Sequence, residues 1–124
     1  MKSKWLDQPE DHDYPAAANY LSLVLPPPHA LALAESLKQG ELVRFKAKDL
    51  LRASRLPLLS KGNKYVQNNL KKVAKGERLS PVLLVRGSIE QDRPLTVADG
   101  YHRVCASYFI DENTEIPCRI VDWA

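Results

Sequence analysis

Apolar residues fall at helical spacing in three well-defined stretches of the chain. In HALALAESLKQG (29–40), Leu31, Ala34 and Leu37 share one face. Proline precedes that stretch and Gly40 follows it, so a helix is predicted. In NKYVQNNLKKVAKG (63–76) the stripe is Tyr65 or Val66, then Leu70, Val73 and Ala74, with Asn63 as N-cap and Gly76 as the stop. In YHRVCASYFI (101–110), Val104, Tyr108 and either Cys105 or Phe109 turn inward. A shorter helix is expected in YPAAANYLSLVL, starting after Pro15 and ending at a stiff, extended Pro26–Pro28 link.

Strand patterns lie between these helices. LVRFKA alternates, with Val43 and Phe45 on one face and Phe45 assigned to the core. SPVLLVRG reads as a buried strand, IEQDRP as a turn, LTVA as the returning strand and IPCRIVDW as the last strand. KDLLRASRLPLL stays ambiguous, with Pro57 making its end a loop or a sheet edge. Residues 1–13 are polar and acidic and read as a loose tail. From Glu41 onward the order is strand, helix, hairpin, helix, strand. This predicts an α+β domain over 41–124, a small mixed sheet with packed helices, preceded by a tail and helical extension over 1–40.

Composition narrows the picture only a little. The chain has 124 residues, 44% hydrophobic and 27% charged, which suits one globular domain. No apolar run approaches the roughly 18–20 residues of a membrane span, and the first residues lack the apolar stretch of a signal peptide, so no membrane and a cytoplasmic location are expected. Cys105 and Cys118 do not form a metal-binding pattern and are expected as free, buried thiols. The three histidines are scattered; DHD at 11–13 is a weak metal candidate in the expected tail, and no metal site is assigned.

Charge changes the picture more. The net charge is +3, but the segment from Lys38 to Arg78 holds twelve Lys and Arg against three acids, a local +9. Such a segment suits a polyanion or an acidic protein, although a solvated basic surface has the same composition.

One stretch carries candidate chemistry: TVADGYHRVCASY, 96–108. A helix start presents N–H groups without intrahelical partners and a partial positive charge, so acids are favoured there. Here His102 and Arg103 occupy it instead, next to Gly100, which permits a tight turn and close approach of a ligand. Amides, imidazole and guanidinium converging on one point would bind a phosphate. The spacing equally allows Arg103 to pair with Asp99 and His102 to bond a carbonyl.

The stretch DGYHRVCASYF…IPCRIV, with RFKAKDLL, LSPVLLVRG and LTVADG upstream, resembles the strand-turn-helix-strand signature of the ParB/sulfiredoxin superfamily over residues 41–124. The resemblance implies a nucleotide-phosphate site at Asp99, Gly100, Tyr101, His102 and Arg103, with Lys64 and Asn68 on the preceding helix facing the phosphates. It implies a nucleoside triphosphate, CTP or ATP, with or without Mg²⁺. Nucleic acid or a protein could meet the basic 38–78 segment, and a homodimer is left open. Tyr101 stands where a sulfiredoxin has its nucleophilic cysteine, which argues against sulfinic acid repair. A small-molecule kinase is the alternative, with Asp49 as a weak candidate base; a non-catalytic interaction domain is another. No clustered carboxylates support a nuclease.

Overall fold

A computed structural model describes all 124 residues. The chain is α+β. Its main sheet has four strands, β2 (Leu42–Lys46), β4 (Val82–Val85), β5 (Thr96–Asp99) and β6 (Glu115–Val121), in the spatial order β2-β6-β4-β5. β4 lies parallel to β6, in register from Val82↔Cys118 to Val85↔Val121. β2 runs antiparallel to β6, and β5 antiparallel to β4, which makes residues 82–99 the expected hairpin. The hairpin places the end of β5 directly before the helix α5 (Tyr101–Ile110).

The four residues of β4 are all buried, because both faces of the sheet are covered. Successive side chains of a strand point to opposite faces. Leu83 and Val85, with Ala98 of β5, pack under two N-terminal helices, α1 (Asp13–Leu21) and α2 (Pro27–Leu37), through Tyr14, Ala17, Leu21, Ala30, Leu33 and Leu37. Val82 and Leu84, with Val97, Ile116 and Cys118, pack against Val104 of α5 and against Ala47 and Leu50 of α3 (Ala47–Ser54). The helix α4 (Lys64–Ala74) adds Val66 beside Cys105 and Ala106 of α5. The ambiguous 48–59 segment thus falls into helix α3 and the loop that follows it.

Several expectations need correction. The first residues are not a loose tail: β1 (Lys4–Trp5) pairs in parallel with β3 (Arg78–Leu79), and Asp13 is buried. The first helix starts at Asp13, before Pro15, because proline is tolerated in a first turn. Pro27 and Pro28 do not form an extended link; they open α2 with Pro26 as N-cap, since their fixed φ suits a helix start. The buried stripe of α2 is Ala30, Leu33, Ala34 and Leu37, which leaves Leu31 58% exposed. On α4, Val66 and Val73 are buried while Tyr65 and Ala74 are exposed. Phe45 is 37% exposed, outside the core, because β2 is an edge strand. Trp123 packs against the α1–α2 cluster and its carbonyl lies 2.9 Å from His29 Nε2, tying the last residues to α2.

The packing predicts unequal costs for two leucines. Leu21→Ala removes a side chain that fills the space over Leu83 and Val85, and should cost about 2–5 kcal/mol in urea unfolding. Leu31→Ala should change stability by less than about 0.5 kcal/mol. Equal costs would contradict this placement of α1 and α2.

Candidate anion site at the start of α5

Two helices begin side by side, and they begin differently. α4 starts at Asn63, whose side chain accepts from the N–H groups of Tyr65 at 2.9 Å and Val66 at 3.2 Å. α5 starts at Gly100 with φ +112°, and no side chain caps it. Val104 N–H donates to Gly100 C=O, and no side-chain acceptor meets the N–H groups of Tyr101, His102 and Arg103. The start of α5 therefore keeps its donors and the positive end of its dipole.

His102 stands beside this uncapped turn, half-buried between two phenol rings. The Tyr65 ring centroid is 5.0 Å from that of His102, and the Tyr101 centroid 5.7 Å. The Tyr101 hydroxyl donates to Pro57 C=O, which fixes its ring against the 55–59 loop. Burial, and then the charge of Arg103, lower the His102 pKa below its ordinary 6.5, so the imidazole is neutral at pH 7 and offers a single N–H donor. Lys64 is exposed, with its ammonium 6.0 Å from the Tyr65 ring. Asn68 is exposed one turn further along α4. Neither Lys64 nor Asn68 hydrogen-bonds to the start of α5, though α4 and α5 pack together.

Arg103 faces inward. Its Nη2 donates to Asp99 Oδ2 at 3.0 Å and to Pro81 C=O at 3.4 Å, and the two side chains are only 17% and 19% exposed. Of the two options the spacing left open, the structure takes the internal pair. Gly100 has a matching role. A Cβ there would lie 2.8 Å from Val82 Cγ2 and 2.9 Å from Arg103 Nη2, so the protein's own side chains fill the space expected for an approaching ligand.

The pair belongs to a larger buried group. Asp13, at the start of α1, accepts from Ser80 Oγ and from the Glu10 N–H. Burial raises the Asp99 pKa, Arg103 opposes the rise, and the neighbouring Asp13 adds to it. Two carboxylates thus lie close together where α1 meets the end of β5, and Arg103 pairs with one of them, Asp99. His12 lies outside this group, exposed, with Nε2 at 3.1 Å from Glu10 and 3.4 Å from Asp13.

The remaining candidate chemistry lies elsewhere. Asp49 sits on α3 with its carboxylate 3.5 Å from Lys48 and 3.8 Å from Arg52, lining a groove that includes none of residues 99–103. Burial pushes the Cys105 thiol up, and pushes Cys118 up to about 12, so both stay protonated and poorly nucleophilic. Comparison with family models, curated proteins and solved structures gives no match for this chain.

Sequence reasoning reached one part of the site only loosely and missed another. Tyr65 is an alternative to Val66 on the apolar stripe and also an aromatic available in the basic segment, but its stacking on His102 needs the packing of α4 on α5. Asp13 gave no signal, because its burial depends on Ser80, far away in sequence.

Arg103→Met should leave Asp99 without its cation, next to the buried Asp13, at a cost of about 3–5 kcal/mol at pH 7. The sign of the pH effect is fixed. Asp99 takes up its proton at higher pH in the folded chain than in the unfolded one, so stability lost at neutral pH returns as pH falls toward the unfolded value of 3.8. Urea unfolding of the variant at pH 7 and pH 5 checks this; a loss that is negligible, or the same at both pH values, contradicts it.

Proposed function

We propose that the start of α5 binds the phosphate groups of a nucleotide, CTP or ATP being the first candidates. The observation that carries the reading is the uncapped first turn of α5, whose N–H groups meet no side-chain acceptor, beside the half-buried His102. Of the five helices only α4 has a side-chain cap, so the start of α5 is set apart from those of α1, α2 and α3 by the half-buried His102 beside it. Lys64 and Tyr65 flank the same turn from α4, supplying an ammonium and a ring face for a base or ribose. The resemblance of Asp99–Arg103 to the phosphate turn of the ParB/sulfiredoxin superfamily supports the same reading.

The division of labour differs from that expected of the motif. Amide N–H groups and His102 contact the anion, while Arg103 is neutralised by its partner Asp99 and offers the anion neither its fork nor a free charge. Mg²⁺ would arrive with the phosphates, because Asp99, the carboxylate of the motif, is already engaged by Arg103. Binding, not turnover, is the activity proposed: Asp49 lies in a separate groove, and no base stands beside the turn apart from His102 itself.

A second reading is favoured by one observation, the inward Arg103 with Gly100 covered by Val82. On that reading the domain keeps the architecture and serves as a non-catalytic interaction module, with the basic 38–78 segment as its contact surface for nucleic acid or protein.

Calorimetry with CTP, ATP and GTP, with and without Mg²⁺, separates the two. Saturable heat is expected with at least one nucleotide, and His102→Ala should weaken it by about 1.5–3 kcal/mol, roughly tenfold or more in Kd. The histidine itself reports binding. By NMR, its titration midpoint in the free protein should lie below 6.5 and move upward when the anion is bound, because a nearby negative charge favours the imidazolium. Absence of heat with all three nucleotides overturns the reading and leaves the interaction module.

A further inference from the structure

Four of the chain's eight arginines line a single groove that includes none of the residues at the start of α5. The groove lies beyond the end of β4, between α3 and the 86–95 loop, with a volume of about 450 Å³. That is within the range of small-molecule sites, about 300–1,000 Å³. Arg52 and Arg55 come from α3 and its C-cap, and Arg86 and Arg93 from the two ends of the loop. Asp49 and these four are the charged residues of the lining, so its formal charge is +3. The floor is apolar, with Leu50, Leu84 and Ile120, and Phe45 contributes an aromatic wall.

Like charges repel, and a protein gathers them in a concavity at a cost unless something negative offsets it. Part of the offset is internal. Arg55 pairs with Asp92 at 2.6 Å, Arg86 with Asp122 at 2.7 Å, and Arg52 with Asp49 at 3.8 Å. Each contact uses one nitrogen of a guanidinium that carries five N–H donors, so most donors remain free. Arg93 turns its head group away: Nη1 donates to Gln91 at 2.6 Å and the guanidinium carbon lies 4.6 Å from the centre of the Trp123 ring, and both residues line the neighbouring pocket, so Arg52, Arg55 and Arg86 are the arginines left to meet an anion in this groove.

The loop wall is built rather than loose. A Cβ at Gly87 would lie 2.4 Å from Arg93 C=O and 2.6 Å from the Pro94 carbonyl carbon, so the loop closes on itself only with glycine there. Ser88 and Arg93 pair across the loop as an antiparallel bridge. On the rim, Ile89 is 99% exposed, an apolar side chain left bare beside the groove.

We propose that this groove is a second binding site, for a small organic anion that joins an apolar, flat body to a phosphate or carboxylate group. The body lies on Leu50, Leu84 and Ile120 against Phe45, and the anionic group meets the arginines. The site is independent of the start of α5, and the test keeps the two apart.

The probe is 2-naphthyl phosphate, compared with 2-naphthol and with inorganic phosphate, titrated into the full chain and followed by methyl NMR. Naphthyl phosphate should shift the methyl resonances of Leu50, Leu84 and Ile120 saturably, and bind at least tenfold more tightly than either half of the molecule. Arg52→Ser/Arg86→Ser should weaken it tenfold or more. Arg52→Ser alone, at a side chain 87% exposed and remote from the core, should weaken it severalfold if the double variant fails to fold. His102→Ala should leave it unchanged. Binding no tighter than that of naphthol, equal binding to the Arg52→Ser variant, or shifts confined to α5 would overturn the proposal.

Discussion

β4 is the strand on which the rest of the structure depends. It is four residues long, buried on both faces, and flanked by strands on both edges. Its backbone groups are satisfied within the sheet, and its side chains are divided between two layers. Leu83 and Val85 require α1 and α2; Val82 and Leu84 require α3 and α5. A sheet this small cannot leave either face open to water, because apolar burial supplies most of the stabilisation available to a domain of this size. The N-terminal helices are therefore a layer of the fold.

The start of α5 follows from that constraint. β5 must lie beside β4, so its end delivers Asp99 and Gly100 next to Val82. Val82 closes the space over Gly100, and Arg103, one turn along the helix, folds back to Asp99. The arginine is consumed by the architecture, in its pair with Asp99. What remains facing outward is the cheaper chemistry of a helix start: unbonded amides and a neutral imidazole held between two tyrosines. The proposed anion site is thus a by-product of how the strand and helix are joined.

Much of this was legible in the sequence, for a physical reason. The elements from Glu41 onward are set by local periodicity and by local stops such as Asn63 and Gly76, so their existence and order could be read. The features that escaped are those decided by distant partners. Residues 4–5 become a strand only because Arg78 and Leu79 lie alongside, and Asp13 is buried only because Ser80 donates to it. Phe45 resembles a core residue in an alternating pattern, yet the strand order places it on an edge. At the candidate site, spacing allowed two fates for Arg103, and a neighbouring carboxylate at i−4 decided between them. The arginine groove left no local trace, because its four guanidinium groups come from α3 and from both ends of a loop more than thirty residues later in the chain.

Residue-resolved hydrogen exchange of the ligand-free protein tests the central claim most directly, that both layers and β4 form one cooperative body with an open helix start at its edge. The amides of α1, β4 and the later turns of α5 should share a single, global opening free energy. Those of Tyr101, His102 and Arg103 should exchange nearly as fast as in an unfolded chain. Opening of α1 and α2 at a much lower free energy than β4, or strong protection of the first turn of α5 with no anion present, would contradict the account.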